Sequence, residues 1–395
     1  MLNSPTPTEA GPLDGGQGKL GSFSTAMVDL AIDLAALRAN FLALRQWCGP
    51  QVKIMAVVKA DAYGHGLLPA AATLAAAGAD YFGVAYLHEG LRLRQAGIRQ
   101  PILLLMGVVP SEAGAAVQAD LEVALFRPDI AAALAAAARS QGKKARVHIK
   151  IDTGMGRLGL QPQELFAFLD AVAGQPELEV AGLISHLATS DWLDQTYTLE
   201  QVEAFAALLR EARHRGWSVP ASHIANSGAI LALPHTHLDL VRAGIALYGS
   251  PPAPDRPAPV PLRPVMSLRT QILQLKDLPA GSSVSYGRTF LAAHPLRLAA
   301  LPVGYCNGYS RLLSNCGQVL IHGRRAPIRG RVCMNLTMVE VTHLPAVRLG
   351  DPVTLLGADG PDCLTADELA AWAQTISYEI YCQLGNSNYR RYVGE

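Results

Sequence analysis

The chain has 395 residues, too many for one typical hydrophobic core, so about two domains are expected. Its formal net charge of +1 leaves no footprint for nucleic acid or an anionic membrane surface, and no apolar run approaches the ~18 residues that a bilayer span needs. Six cysteines (Cys48, Cys306, Cys316, Cys333, Cys363, Cys382) without a C-x-x-C pair support neither a metal centre nor a disulfide framework, and with no basic-then-apolar leader in the opening residues a reducing cytoplasm is the expected setting.

Residues 1–25 are rich in Pro, Gly, Ser and Thr and lack periodicity, which reads as a disordered tail. A short extended piece, Met27–Ile32, follows. Asp33 is then placed to cap a helix whose apolar face is Leu34, Leu37, Phe41 and Leu44. Next comes I-M-A-V-V-K-A-D-A-Y-G-H-G, Ile54–Gly66, in which a buried-strand pattern ends on Lys59. An ammonium in such a place is costly unless paired. Burial lowers its pKa and frees the amine for Schiff-base chemistry. The bland alternative is a lysine that snorkels from the strand end to water.

From there the pattern repeats. Strand-like runs lie at Tyr81–Ala85, Ile102–Met106, Leu121–Phe126, Val147–Ile151, Val180–Ser185, Ser222–Ala225 and Leu238–Val241, with Ala/Leu-rich helical stretches such as Asp129–Ala138 and Leu199–Arg213 between several of them. With the Lys59 strand these make eight runs, which fits an α/β chain with a (β/α)8 TIM-type barrel over residues 26–250. An open doubly wound sheet is the runner-up, weakened by the lack of a G-x-G-x-x-G after the first strand. Such barrels carry chemistry at the C-terminal ends of their strands, and the polar residues fall there. Lys59 ends the first run; Lys150, Asp152 and Arg157 end the fifth; His186 ends the sixth; Asn226 and Ser227 end the seventh; Arg242 and Gly244 end the eighth.

Residues 251–264 hold seven prolines in fourteen positions and read as a linker. Beyond it, Met266, Leu268, Thr270 and Ile272 alternate with Ser267, Arg269 and Gln271 at strand period. Further short strands are expected at Arg297–Pro302, Val319–His322, Val332–Val341 and Val353–Leu356. Thr365 and Glu368 form a capping box ahead of Leu369, Ala370 and Trp372. Residues 265–395 are therefore expected to form a mostly β C-terminal domain with a terminal α element.

A strand-end lysine, a hydroxyl beside glycine and several tyrosines suggest an aldehyde cofactor that carries a phosphate. Lys59 would hold the aldehyde, while Ser227 and the N–H groups near Gly244 would hold the phosphate. Arg157 and Arg242 are fixed cations for a carboxylate, a phenolate or a ring nitrogen. Each has a structural alternative: a surface salt bridge for Arg157, an ion-pair partner for Arg242, a satisfied core histidine for His186 and a helix N-cap for Ser227.

The motifs A-V-V-K-A-D-A-Y-G-H-G, H-I-K-I-D-T-G-M-G-R-L-G, H-I-A-N-S-G-A, V-R-A-G-I-A-L-Y-G, V-S-Y-G-R-T-F, G-R-V-C-M-N and T-I-S-Y-E-I make the chain resemble the alanine racemase family from about Asp29 to Tyr392. The resemblance implies pyridoxal 5'-phosphate as cofactor, an amino acid as substrate and a head-to-tail homodimer with shared active sites. It implies Lys59 as the Schiff-base lysine and base on one face, and Tyr286 from the partner subunit as base on the other. It places Tyr63, Ser227, Gly244, Ile245 and Tyr378 at the phosphate, Arg242 at the pyridine nitrogen with His186 behind it, and Arg157 near the phenolate and substrate carboxylate. Met334 matches the backbone donor to that carboxylate, Lys150 a lysine often carbamylated, and Tyr305, Arg311 and Arg331 the access channel. The sequence departs from the family pattern at Cys306–Asn307, where Ala-Asp is usual, at Asn335, where Asp is usual, and in the C-terminal N-S-N-Y-R-R-Y. Alanine is the leading substrate, with serine or a broader set as alternatives. A related barrel decarboxylase or aldolase and a cofactor-carrying barrel without turnover are the competing readings. The V-S-Y-G tyrosine and Arg242 disfavour the former, the β domain the latter.

Overall fold

The computed structural model describes residues 27–253 and 256–394. The tail expected over residues 1–25 lies outside them. Asp33 does two jobs at the start of the chain. It ends β1 (Val28–Asp33), and its Oδ1 accepts the Ala36 N–H at 2.9 Å, capping the helix Leu34–Cys48. That helix buries Leu34, Leu37, Phe41 and Leu44, the face read from the sequence.

The barrel strands are β2 (Lys53–Val57), β3 (Tyr81–Val84), β4 (Ile102–Leu104), β5 (Glu122–Leu125), β6 (Ala145–Lys150), β7 (Leu178–Ile184) and β8 (Leu240–Ala243). They form one curled parallel sheet in the order β7-β6-β5-β4-β3-β2-β8. Helices Leu67–Ala76, Leu87–Gln95, Ala113–Gln118, Pro128–Ser140, Leu165–Ala173 and Thr196–His214 make the crossovers that parallel pairing requires. The alternation of the sequence is used on both faces of the sheet. Ile54 and Ala56 join the main core beneath the helices, while Met55 packs with Tyr81, Leu103, Ile184 and Leu240 in a separate cluster.

The expected seventh strand is corrected, which leaves seven strands in the sheet among the described residues. Ser222–Ala225 is an extended segment with a single bridge, His223 to Ile184. The Ser222 N–H is taken by the Asp239 carboxylate at 2.9 Å, so the ladder cannot extend at that end. His223 still exchanges bonds with β7 (N–H to Leu183 O 2.9 Å; Ser185 N–H to His223 O 3.2 Å), and Arg242 N–H reaches Ala225 O at 3.0 Å. A few bonds thus bridge the gap between β7 and β8.

The second domain contains β9 (Met266–Gln271), β10 (Gln274–Leu278), β11 (Ser283–Val284), β12 (Phe290–Leu291), β13 (Leu296–Leu301), β14 (Gln318–Ile321), β15 (Arg324–Pro327), β16 (Thr337–Glu340), β17 (Pro352–Asp359), β18 (Asp362–Leu364) and β19 (Arg390–Val393). Its main sheet runs β15-β14-β17-β9-β1-β19, with β18 on β17; β10-β13-β16 form a second sheet. The first strand therefore sits in the sheet of the second domain, antiparallel to β9 and parallel to β19, rather than with the barrel that follows it. Of the run expected over Val332–Val341, only Thr337–Glu340 is a strand. A turn closed by Cys333 N–H to Leu336 O (2.9 Å) interrupts it. The capping box forms by half. Thr365 Oγ1 accepts the Glu368 N–H at 3.1 Å, but the Glu368 carboxylate is drawn away to Arg325.

Helix Ser377–Ser387 holds the second domain against the turn after β2, backbone to backbone. A Cβ on Gly64, whose φ is +81°, would lie 2.3 Å from Tyr381 O, and one on Gly385 would lie 1.9 Å from Gly64 O. Only glycine fits at either position.

Candidate active site

β2 stops at Val57, so Lys59 stands just past the strand rather than on it. Ala60, Asp61, Ala62 and Tyr63 then have φ between 53° and 56°, a left-handed turn built without glycine. Each such residue costs on the order of 1 kcal/mol, so the surroundings must hold the turn in place. The buried Glu89 accepts the Ala60 N–H at 2.7 Å through Oε1, and the Ala85 and Tyr86 N–H groups through Oε2. Asp61 accepts the Leu67 N–H at 2.8 Å and pairs with Arg390 of β19 at 2.7 Å. The turn brings both Lys59 and Tyr63 to the lining of a cavity of about 530 Å³ at the C-terminal mouth of the barrel.

That cavity gathers eleven of the residues singled out from the sequence: Lys59, Tyr63, Lys150, Arg157, His186, Asn226, Ser227, Arg242, Gly244, Ile245 and Tyr378. Arg157 is delivered by a carboxylate turn, in which Asp152 accepts the N–H groups of Gly154 (2.9 Å), Gly156 (3.1 Å) and Arg157 (2.9 Å). Partial burial works against the Asp152 charge, but those donors hold its carboxyl below the usual range. The Arg157 side chain makes no ion pair among the described residues, which removes the surface-bridge alternative. Ser227 is not the helix cap. Asn226 caps that helix, and Ser227 Oγ instead accepts the Gly244 N–H at 2.9 Å. A Cβ on Gly244 would lie 2.7 Å from the Tyr63 hydroxyl and fill the space between them. Tyr378 reaches the same place from the second domain, its ring 5.8 Å from that of Tyr63.

Arg242 is buried, and its two terminal nitrogens are fully used. Nη1 donates to His223 Nδ1 (2.9 Å) and His223 O (3.1 Å); Nη2 donates to Ser185 O (2.7 Å), Ile224 O (3.0 Å) and His186 Nδ1 (3.1 Å). Among the described residues Nε–H is left without a protein acceptor.

Four cationic side chains line one cavity, and the protons of Lys59, Lys150 and Arg242 are loosened accordingly. Burial, then Arg242, Arg157 and Lys59, push Lys150 down to about 7. Burial, then Arg157 and Arg242, hold Lys59 below the usual lysine range. Burial and Arg157 bring Arg242 down to about 9, still charged at neutrality. Burial and Arg242 keep His186 well below the imidazole range, and therefore neutral. Tyr63 and Tyr378 are raised by burial, so their hydroxyls remain donors.

The other five residues are not brought to this cavity. Tyr286, Met334 and Tyr305 are 74%, 56% and 42% exposed. They share a patch on the second domain. Ser285 Oγ donates to Arg331 O (2.6 Å), Tyr305 N–H to Cys333 O and Cys306 N–H to Met334 O (both 3.0 Å). Arg311 lies on the short turn Arg311–Leu313, two residues after Tyr309.

Three buried groups escaped the sequence reading. Glu89 sits three residues into its helix from Tyr86, a capping position that its sequence spacing discloses. Glu122 and His148 form a buried pair at 2.8 Å, and nothing in a strand pattern marks either.

Comparison with known proteins bears on the family. The family model for the alanine racemase N-terminal domain matches residues 32–252, and that for the C-terminal domain matches residues 265–392. The alanine racemase of Syntrophobacter fumaroxidans is 46% identical over 361 residues, covering 91% of this chain and 96% of that protein. The crystal structure of alanine racemase from D-cycloserine-producing Streptomyces lavendulae is 37% identical with a TM-score of 0.88, covering 94% of this chain and 98% of that one. That of alanine racemase from Bartonella henselae with covalently bound pyridoxal phosphate is 31% identical with a TM-score of 0.85, covering 93% and 100%. By these matches over nearly its whole described length, the chain belongs to the alanine racemase family of amino-acid racemases.

Proposed function

We propose that this chain interconverts L-alanine and D-alanine with pyridoxal 5'-phosphate as cofactor, supplying D-alanine for peptidoglycan precursors in the cytoplasm. The observation that carries the reading is the single cavity that unites Lys59, Arg157 and Arg242 with Tyr63, Ser227, Gly244 and Tyr378. Its volume suits a cofactor with a small substrate. Its donor set fits the cofactor as well. Protonated tyrosine hydroxyls and the Gly244 cradle, which a Cβ would fill, suit a phosphate at one end. The free Nε–H of Arg242 suits a ring nitrogen at the other.

Lys59, whose amine is loosened from its proton, would hold the cofactor aldehyde, and Tyr63, Ser227, Gly244, Ile245 and Tyr378 would hold its phosphate. The bound cofactor supplies the electron sink that makes the substrate Cα–H acidic. Arg242 donates and cannot accept, so a ring nitrogen facing it stays unprotonated. The sink is then weak, which favours return of the proton over side reactions. Arg157 binds the substrate carboxylate, and in a head-to-tail dimer the partner subunit's Met334 backbone would be a second donor. Lys150, near its midpoint at neutral pH, has the free amine needed to take up CO2 and become an anion beside Arg157.

Inverting a centre needs proton groups on both faces. Lys59 serves one face. The partner subunit's Tyr286 serves the other in a head-to-tail dimer, and its 74% exposure in a single chain supports that role. Tyr305, Arg311 and Arg331 would then line the access channel. Incubation with L-alanine in D2O, followed by chiral analysis, tests the pair. Deuterium is expected in both enantiomers. Deuterium at Cα without D-alanine would mean a one-base enzyme and remove Tyr286 from the reaction.

A further inference from the structure

Arg242 is joined to the opposite end of the barrel by a continuous buried chain. His223 Nδ1 lies 2.9 Å from Arg242 Nη1, His223 Nε2 lies 2.9 Å from His148 Nδ1, and His148 Nε2 lies 2.8 Å from Glu122 Oε2. All four side chains are buried, with no more than 4% exposure. Glu122 Oε1 is met in turn by Arg146, in a cleft of about 220 Å³ at the N-terminal ends of β5 and β6.

The two ends dictate the middle. A guanidinium can only donate and an ionised carboxylate can only accept. His223 Nδ1 must therefore accept from Arg242, which puts its proton on Nε2. His148 Nδ1 must accept that proton's bond, which puts its own proton on Nε2, facing Glu122. Both rings are neutral Nε2–H tautomers. An extra proton on either ring would set two N–H groups face to face at hydrogen-bond distance.

We propose that Glu122 is a positioning residue for Arg242: through this ordered chain it fixes the guanidinium so that only Nε–H is offered to the cavity. The inference rests on the placement of Arg242 beside the cofactor given above. Glu122 is suited to the task because a carboxylate presents negative acceptor oxygens on both sides, Oε2 to His148 and Oε1 to the Arg146 guanidinium with which it is ion-paired. An amide of the same shape accepts on one side only. In Glu122→Gln the amide oxygen turns to Arg146 and its NH2 faces His148. Both rings must then reverse, and an N–H of His223 is driven against Arg242.

The first test reads the chain without turnover. Side-chain 1H–15N correlation spectra of the wild-type holoenzyme should show His148 and His223, assigned with His148→Gln, as Nε2–H tautomers with unprotonated Nδ1. An imidazolium or an Nδ1–H tautomer at either position overturns the proposal, whatever the enzyme's activity. The second test compares variants. Glu122→Gln should lower kcat about tenfold with KM within about twofold, a size typical of network mutations, and should displace both imidazole signals. Arg146→Met removes the ion pair but leaves the chain ordered, so kcat and the imidazole signals should stay at wild-type values. Equal losses in the two variants would reduce Glu122 to a structural ion pair and sink the idea, as would a folded Glu122→Gln with wild-type kcat. Should Glu122→Gln fail to fold, the wild-type spectra and Arg146→Met still decide. Failure of the cofactor reading would instead appear as a holoenzyme that cannot be formed, with the imidazole pattern intact.

Discussion

The barrel mouth and the second-domain patch present their chemistry in opposite ways. In the mouth, the chain surrounds what it uses. Arg242 has every Nη hydrogen committed, Arg157 rides on an Asp152 turn, and Lys59 sits at the head of a left-handed turn clamped by Glu89 and Asp61. On the patch, Tyr305 and Met334 are set by backbone bonds between loops and Tyr286 follows Ser285, whose hydroxyl is tied to Arg331 O, yet the three side chains are exposed. The contrast separates two kinds of preorganisation. One is complete within the chain and tunes protons by burial. The other fixes positions and leaves the environment to whatever docks there.

The sharpest break comes from variants that kill each side. Lys59→Ala should lower racemisation by about 10³-fold or more, since it removes both the attachment and one base. Borohydride treatment should then leave no cofactor on the chain by mass spectrometry. Tyr286→Phe should also be severely impaired. Mixing the two dead variants under conditions of subunit exchange separates a shared site from a private one. Half of the sites in each mixed dimer would carry both Lys59 and Tyr286, so about a quarter of wild-type activity should return. A site built from one chain would recover nothing.

What the sequence disclosed follows the same division. Strand-end residues of the barrel were legible because the fold puts chemistry at one end, and period-2 and helical patterns locate those ends. The Asp33 cap and its helix face were legible because both are local. The left-handed turn at Ala60–Tyr63 was not, because A-D-A-Y carries no glycine, and its support comes from Glu89 and Arg390, distant in the chain. The pairing of β1 with β19 spans almost the whole sequence and leaves no mark on either strand. Ser222–Ala225 has a strand-like composition, but Asp239 takes the N–H that a ladder would need. His148 and Glu122 read as ordinary strand residues, since a buried polar chain is defined by partners on different strands.

A smaller effect tests how far burial tunes the mouth. Lys150 titrates near 7 in the folded chain and near its ordinary 10.5 when unfolded. Between those values the unfolded chain holds a proton that the folded chain lacks, so stability rises with pH across that window and is flat outside it. Below about 7 the full cost of burying the ammonium is felt. The gain on going from pH 7 to pH 9 in carbonate-free buffer should be up to a few kcal/mol, read as a rise in thermal midpoint, and Lys150→Met should remove this share. Added bicarbonate should place the mass of one CO2 on Lys150 and flatten the slope. A slope unchanged in Lys150→Met would show that the mouth is more hydrated than its geometry implies.

The least effect lies on the patch, where the departures from the family pattern turn out to face one another. Cys306 Sγ accepts from Asn335 Nδ2 at 2.7 Å, and Asn307 Nδ2 donates to Asn388 Oδ1 at 3.2 Å. Asn388 Nδ2 is already committed to Asn307 O (2.9 Å) and Leu384 O (2.8 Å), so its amide cannot flip without losing both. Asn307→Asp keeps the acceptor for the Gly304 N–H but sets a second carboxylate oxygen against Asn388 Oδ1. It should therefore cost about 1 kcal/mol and lower the thermal midpoint by a few degrees. In an Asn388→Ala background the opposing oxygen is gone, and the same change should cost measurably less. Equal costs in the two backgrounds would mean that the amides are neighbours without coupling. The loss of two carboxylates near the expected channel would then need an account from substrate access rather than from packing.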